Sequence, residues 1–319
     1  MTQTYGGGVP LAEVVRSDFV EGLHHGSVVV LDGTGAQVAA VGDVTSPVFP
    51  RSASKPMQAV AMLRAGLALT DPADVALVAA SHAGEDFHLA RVRALLADAG
   101  LDESALGCPP DLPMGELARE AVVRAGGAAT RTAMNCSGKH TGMVLTCLAA
   151  GWPRDGYWEP EHPLQQAVRR VVEEFTGEPV AAVGVDGCGA PVLAVSLTGL
   201  ARAYLRLVRA EPGSAARAVA DGMRAYPEVV GGTWAEDSRL MRGVPGVLAK
   251  IGAEGVIAAA LPGVGAVAVK IDDGAARARM PVLVSALRRL GVRAPVLDEY
   301  AALPLLGGGL PVGAIRSRW

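Results

Sequence analysis

A serine and a lysine three positions apart form the first candidate for chemistry, in the stretch Pro50-Arg-Ser-Ala-Ser-Lys-Pro56. Residues at this spacing share one face of a helix, so the Ser52 hydroxyl and the Lys55 amine would come within hydrogen-bonding distance. A neutral lysine in this place takes the proton from the hydroxyl, which is the Ser-Lys form of nucleophilic catalysis. Pro56 is tolerated only in the first turn of a helix, so we expect the helix to begin near Ser52.

A helix start at Ser52 has both a catalytic and a structural interpretation. Free backbone amides and the positive end of the helix dipole stabilise the oxyanion that forms in acyl transfer. Serine is also a favoured N-cap residue, and Ser-x-x-Lys arises often by chance. The motif alone therefore leaves both roles open.

Two other polar clusters contain cysteines. The first is Asn135-Cys-Ser-Gly-Lys-His140, before the apolar helical run 143–150, and the second is Asp186-Gly-Cys-Gly-Ala-Pro191, in a glycine-rich loop after a predicted strand. Two thiolates with a third ligand suit zinc, and from chemistry alone His140 would be that ligand. The structural alternative is that the cysteines are small buried hydrophobes, which is how we interpret Cys108 and Cys147.

The order of the predicted elements indicates the fold class. Two β-prone runs at 27–31 and 36–41 flank a turn signal, and two more at 255–261 and 265–271 lie late in the chain. The segments between them are mostly helix-periodic. We expect an α/β (α+β) fold with one antiparallel sheet of N- and C-terminal strands, in a single domain over residues 1–319. Ser52 and Lys270 would meet at the sheet edge that faces the helices.

Composition limits the classes of partner. The chain has 319 residues, a formal net charge of −3 and 50% hydrophobic residues, with no run of basic residues. Nucleic acid and acidic membranes are therefore unexpected partners, and a small-molecule ligand is favoured. Residues 1–26 lack the apolar core of a secretory signal, and the apolar runs are too short to span a bilayer. We expect a cytoplasmic protein.

The three clusters together resemble the asparaginase II family, typified by the inducible rhizobial L-asparaginase. Further matching stretches are Ser81-His82 with Gly84-Glu85, Lys250-Ile-Gly-Ala-Glu-Gly255, and Ala268 to Arg277. The resemblance implies a fold similar to serine β-lactamases and glutaminases. It also implies hydrolysis of the asparagine side-chain amide, a role in asparagine catabolism, and a homodimer.

The resemblance also implies roles for particular residues. It makes Ser52 with Lys55 and Ser81 with Lys270 two catalytic Ser-Lys pairs. It implies a zinc ion, Zn(2+), and the proposed metal ligands are Cys136, Lys139 and Cys188. We assign Arg51, His140 and Asp186 to substrate binding or to support of the zinc ligands.

Three other functions compete with an L-asparaginase. A serine β-lactamase or other penicillin-recognising hydrolase shares Ser-x-x-Lys, but Lys270 is followed by Ile-Asp-Asp-Gly where those enzymes have Lys-Thr-Gly. A zinc-dependent amidohydrolase would lose its chemistry on chelation. A non-catalytic amino-acid-binding protein would bind asparagine without releasing ammonia.

Overall fold

The computed structural model describes residues 4–319. The strands in this part of the chain are β1 (Val9–Arg16), β2 (Phe19–Asp32), β3 (Gln37–Val41), β4 (Pro47–Val48), β5 (Ala182–Val185), β6 (Pro191–Ser196), β7 (Leu248–Gly252), β8 (Val256–Leu261), β9 (Gly265–Ile271), β10 (Ala302–Gly307) and β11 (Leu310–Ser317).

Most of the α-helices lie between β4 and β7 in the order of the chain. They are α1 (Lys55–Arg64), α2 (Pro72–Val78), α3 (Asp86–Asp98), α4 (Glu116–Arg124), α5 (Ser137–Ala150), α6 (Pro163–Thr176), α7 (Leu197–Val208), α8 (Ala215–Ala225), α9 (Pro227–Val230), α10 (Glu236–Gly243), α11 (Ala276–Arg289) and α12 (Pro295–Ala301). Short 3-10 turns occupy Arg51–Ser54 and Glu103–Ala105. Among residues 4–319, no helix combines the length and the apolar character needed to cross a membrane.

The main sheet joins the two ends of the chain. Its strand order is β10-β11-β1-β2-β9-β8-β7, with β3 paired to β2. Every neighbouring pair is antiparallel. A small second sheet has the order β4-β6-β5. This architecture confirms the predicted α/β (α+β) class with a sheet of N- and C-terminal strands around a helical middle.

The predicted hairpin at 27–31 and 36–41 is confirmed as the pair β2 and β3. Its turn is fixed by Asp32, whose side chain accepts hydrogen bonds from the amides of Thr34, Gly35 and Ala36. An aspartate that caps its own turn in this way is the local signal that makes such hairpins predictable.

Helices cover the middle of the sheet. Every residue of β8 is buried, so both faces of this strand are covered. Helix α7 packs against β2, β8 and β9, and α11 packs against β1, β9 and β11. Pro281, which we expect in a first turn or at a kink, lies inside α11.

The turn that carries Ser52 lies against β7, the edge strand of the main sheet. A Cβ atom at Gly252 would lie 2.4 Å from the carbonyl oxygen of Pro50, so only glycine allows this approach. The Tyr204 hydroxyl, 2.8 Å from the carbonyl oxygen of Ala53, holds the turn from the other side. Helix α1 then begins with Pro56 in its first turn, as the sequence predicts.

Ser81 and the second cluster are brought together by close contact between α2 and α5. The buried run before Ser81 is helical, since α2 covers most of it. A Cβ atom at Gly138, in the first turn of α5, would lie 2.6 Å from the carbonyl oxygen of Leu77. Glycine at this position therefore lets the start of α5 lie directly against the end of α2.

We expect Leu287→Ala to lower the free energy of unfolding by about 2 to 5 kcal/mol, because it opens a cavity where α11 meets the sheet. Leu287 is fully buried, whereas Leu310 in β11 is 70% exposed. Leu310→Ala is the matched control and should cost less than about 0.5 kcal/mol. Denaturant unfolding of both variants is the measurement, and equal losses would contradict the burial of Leu287.

Candidate active site

Lys55 is a buried lysine at the first position of α1. Its Nζ atom lies 2.5 Å from the carbonyl oxygen of Ala80, 2.8 Å from Ser81 Oγ and 3.0 Å from Cys136 Sγ. These acceptors come from the end of α2 and the start of α5, and they match the three donors of an ammonium group. A buried amine is thus held beside a serine hydroxyl, as Ser-Lys catalysis requires.

Ser52 and Ser81 line one cavity of about 260 Å³. Ser81 is buried, and its backbone amide donates to the carbonyl oxygen of Val230 at 3.0 Å. Ser52 is only partly buried, and within residues 4–319 its hydroxyl forms no hydrogen bond. The expected hydrogen bond between Ser52 and Lys55 is therefore not observed, because the Lys55 amine is directed to Ala80, Ser81 and Cys136. The side chains that give the rest of the wall its polar character are Arg51, Asn135, Cys136, Asp186, Cys188 and Arg279.

The three predicted metal ligands converge beside this cavity. Lys139 Nζ lies 3.0 Å from Cys188 Sγ, and both cysteines line the cavity. The neighbouring Cys136 thiol lowers the pKa of the Cys188 thiol against the cost of burial, and the Lys139 ammonium adds to this effect. Burial disfavours the charged form of Lys139, but the cysteine sulfurs outweigh it and raise the pKa of Lys139. The cluster thus holds a lysine amine against a cysteine sulfur in the interior.

His140 lies behind this cluster. Its Nδ1 atom is 2.6 Å from the Tyr157 hydroxyl, and its Nε2 atom, on the side of Cys188, is buried without a hydrogen bond. Burial lowers the pKa of His140 to about 4, with the Lys139 ammonium acting in the same direction. The side chain does not line the cavity. The structure thus places His140 next to the sulfur cluster and away from the space that a substrate would occupy.

The donor set at the cluster fits zinc. Within residues 4–319, no group of three His, Cys, Asp or Glu side chains is arranged to hold a metal ion. The predicted set instead combines two cysteines with a lysine, and two of its donor atoms, Lys139 Nζ and Cys188 Sγ, are 3.0 Å apart. Two thiolates suit zinc, and the unpaired Nε2 atom of His140 shows that the buried polar groups here are not all satisfied by protein. The residues that would hold the ion are Cys136, Lys139 and Cys188.

Arg51 and Asp186 form an ion pair on the cavity wall. Their guanidinium nitrogen and carboxylate oxygen are 2.7 Å apart. Asp186 belongs to a tight turn in which its amide donates to the carbonyl oxygen of Ala190, and this turn also presents Cys188. A cation and an anion therefore stand side by side where a zwitterionic amino acid could pair with both.

Lys270 is not brought to Ser81. Its Nζ atom donates to the carbonyl oxygens of Glu254 and Ile271, at 2.7 and 2.6 Å, and Lys270 does not line the cavity. The expected meeting of Ser52 and Lys270 at a sheet edge is also not observed, because Lys270 lies on the interior strand β9. Strand β7 is the edge next to Ser52, and the hydrogen-bond partner of Ser81 is Lys55.

The structure adds a buried ion pair that the sequence interpretation lacks. Lys250 Nζ, on β7, lies 2.9 Å from Asp237 Oδ2, and both side chains are fully buried. Burial lowers the pKa of Lys250, the Lys55 charge acts in the same direction, and Asp237 opposes both. Lys250 is the single charged residue in an apolar run from Val247 to Ile251, which is the signal that could have identified it.

Residues 12–317 match the family model of L-asparaginase II, which is nearly the whole chain. The chain belongs to the L-asparaginase II family. This confirms the resemblance seen in the polar clusters, and it supports an amidohydrolase activity of the asparaginase type. No curated protein matches the chain.

Solved structures resemble this member of the L-asparaginase II family only distantly. The native form of a protein called Mglu is 17% identical, with a TM-score of 0.44 over 89% of this chain and 66% of that one. Its tris and glutamate form is 17% identical, with a TM-score of 0.44 over 83% of this chain and 59% of that one. A candidate beta-lactamase from Bacteroides dorei DSM 17855 is 15% identical, with a TM-score of 0.46 over 90% of this chain and 94% of that one. The chain thus spans less than two thirds of either Mglu structure, and TM-scores this low support no conclusion about activity.

We expect Lys250→Met to lower the free energy of unfolding by about 3 to 5 kcal/mol, because it leaves the buried Asp237 carboxylate without its paired positive charge. The double variant Lys250→Met, Asp237→Leu should recover most of that loss, since it removes both charges. Denaturant unfolding is the measurement.

The matched control for this prediction is Arg16→Met, which breaks an exposed ion pair with Glu21 and should cost less than about 1 kcal/mol. A loss for Lys250→Met that is no larger than this control would contradict a buried ion pair.

Proposed function

We propose that the protein is an L-asparaginase, which hydrolyses the side-chain amide of L-asparagine to L-aspartate and ammonia through an acyl-enzyme. One observation carries the proposal: the buried Lys55 amine lies 2.8 Å from Ser81 Oγ at a cavity that Ser52 also lines. Membership of the family supports an amide as the bond that is cleaved. The Ser-Lys geometry supports a serine as the nucleophile.

Ser52 is the residue to which we assign acylation. It is the more accessible of the two serines, and its hydroxyl is not occupied by a hydrogen bond to another residue in 4–319. In this mechanism the Ser52 hydroxyl approaches Lys55 when the substrate binds, and Lys55 in its neutral form accepts the hydroxyl proton as the oxygen attacks the amide carbon. The amides of Ala53 and Lys55 already donate to the carbonyl oxygens of Pro50 and Ser52, so we assign stabilisation of the oxyanion to the positive charge that Lys55 gains with the proton.

Ser81 then has a role in proton transfer. Its hydroxyl is hydrogen-bonded to Lys55, so it can pass the proton from that amine to the departing nitrogen. The carbon–nitrogen bond breaks, ammonia leaves, and an aspartyl ester remains on Ser52. Water attacks the ester, Lys55 accepts the proton of that water, and aspartate is released as the Ser52 hydroxyl is restored.

The ion pair between Arg51 and Asp186 is suited to hold the amino-acid end of the substrate. The guanidinium would pair with the α-carboxylate, and the Asp186 carboxylate with the α-ammonium. Both side chains line the cavity with the two serines. This orientation leaves the side-chain amide directed towards the serines, which is the positioning that hydrolysis needs.

A zinc ion held by Cys136, Lys139 and Cys188 is part of the proposal. When bound, zinc would supply a fixed positive charge and a Lewis acid beside the substrate. The Asp186–Ala190 turn links the cluster to the substrate contacts, because Cys188 and Asp186 belong to the same turn. We therefore assign the cluster to substrate placement, with the nucleophile remaining a serine.

The proposal includes a homodimer, as the family resemblance implies, and a cytoplasmic location. Sedimentation of the purified protein would give its mass in solution directly. A mass equal to one chain at all concentrations would contradict the dimer.

Ser52→Ala should reduce the rate of ammonia release from asparagine by at least about 10³-fold without unfolding the protein, because it removes the atom that forms the ester. Lys55→Met should be similarly damaging, and the double variant should lose little more, since the two residues act as one unit. Ser81→Ala should cost about 10²-fold, the size of a proton-transfer contribution.

Mass spectrometry of the acid-quenched enzyme would locate the aspartyl ester on the peptide that contains Ser52. The assignment would be overturned by near wild-type activity of Ser52→Ala. An ester on the peptide that contains Ser81 would transfer the nucleophilic role to that serine.

Elemental analysis should find about one zinc per chain, and Cys188→Ser should lower this occupancy. Cys147→Ser is the control, because Cys147 is also buried but lies outside the cluster. Chelated enzyme should show a raised KM for asparagine and still form the Ser52 ester. Loss of acylation in a protein that stays folded would favour chemistry at the metal.

A further inference from the structure

A large apolar groove lies beside the catalytic cavity. Its volume is about 700 Å³, compared with about 260 Å³ for the cavity. Trp234 and Leu117 lie in the groove with 71% and 69% of their surface exposed. Pockets for small ligands commonly occupy about 300–1,000 Å³, so the groove has room for a group larger than the cavity itself can hold.

The groove and the cavity share a wall of three side chains, Met114, Ile251 and Arg279. Arg279 is fixed, because it pairs with Glu236 at 2.7 Å and donates to a backbone carbonyl of β7. Met114 is partly exposed, and its unbranched side chain adapts easily to a neighbour. A substrate too long for the cavity could therefore extend past Met114 into the groove.

The position of the groove indicates which end of a substrate it would receive. Ala83 and Gly231 line the groove, and they lie close to Ser81 and to Val230, the residue that binds the Ser81 amide. The amino-acid contacts Arg51 and Asp186 do not line the groove. The groove thus lies on the Ser81 side of the cavity. The leaving nitrogen of the amide would be directed to this side, because Ser81 is the residue assigned to pass it a proton.

The chemistry of the groove favours an apolar occupant. The Glu85 carboxylate is engaged by the amide and hydroxyl of Thr233, at 2.7 and 2.6 Å. The Glu236 carboxylate is engaged by Arg279. Two of the three carboxylates in the groove are therefore already paired, the third being Glu116. Trp234 and Leu117 supply exposed apolar surface for a ligand.

We propose that the enzyme also hydrolyses asparagine derivatives whose side-chain amide nitrogen carries an aromatic group, with that group seated against Trp234 and Leu117. This inference rests on the proposed asparaginase function. The carbon–nitrogen bond breaks as the serine ester forms, and the nitrogen takes the serine proton and leaves as an aromatic amine. Water then cleaves the ester, which gives aspartate and restores the serine.

Aspartic acid β-(4-nitroanilide) is the probe, since release of 4-nitroaniline is followed by its colour. Wild-type enzyme should hydrolyse it. Trp234→Ala should lower kcat/KM for the anilide by about threefold to tenfold, the size of one aromatic contact, and should change kcat/KM for asparagine less than about twofold. Phe19→Ala is the matched control, because Phe19 is an equally exposed aromatic residue outside the groove, and it should change neither value.

The outcomes separate this inference from the proposed function. If asparagine is hydrolysed and the anilide is not, or if Trp234→Ala affects both substrates equally, the inference is overturned and the asparaginase assignment stands. If neither substrate is hydrolysed, both the inference and the asparaginase assignment are overturned. If Trp234→Ala dissociates a dimer and leaves anilide hydrolysis unchanged, the groove is covered by a second copy of the chain and the inference is also overturned.

Discussion

The buried amine of Lys55 is the interaction on which the site depends. An ammonium group removed from water is costly unless its donors are satisfied, and here the acceptors come from Ala80, Ser81 and Cys136. The end of α2 and the start of α5 are therefore held together by one side chain of α1. The same contacts that lower the cost of burying Lys55 also place a serine hydroxyl against a possible base. The contacts that stabilise the buried Lys55 amine are therefore the same contacts that position it next to Ser81.

Three buried lysines lie in this region, and each has its own partner. Lys139 is paired with Cys188, and Lys250 with Asp237. Because desolvation penalises every isolated charge, close pairs are the arrangement that a low-dielectric interior tolerates. The pair of Lys139 belongs to the sulfur cluster, whereas the pair of Lys250 joins the edge strand β7 to helix α10.

Elements that contain their own turn or cap signal are predictable from the sequence. The turn at Asp32 predicts the hairpin of β2 and β3, and Pro56 predicts the start of α1. Strands β1, β10 and β11 are missing from the sequence interpretation, because their pairing joins the two ends of the chain and each contains a proline, which argues against a strand. The position of Lys270 has the same difficulty, because only the strand order shows that β9 is an interior strand and that β7 is the edge next to Ser52.

Arg51, directly before Ser52, has a strained backbone conformation that is linked to the role of its side chain. Its φ angle of 51° lies in the left-handed region, which costs a residue with a side chain about 1 to 3 kcal/mol. Glycine would relieve this strain, but it would remove the guanidinium that pairs with Asp186 on the cavity wall. The strain is offset by contacts that hold the turn from both sides, at Gly252 and Tyr204. The edge of the sheet and a helix of the middle region thus jointly fix the backbone from which Arg51 and Ser52 reach the cavity.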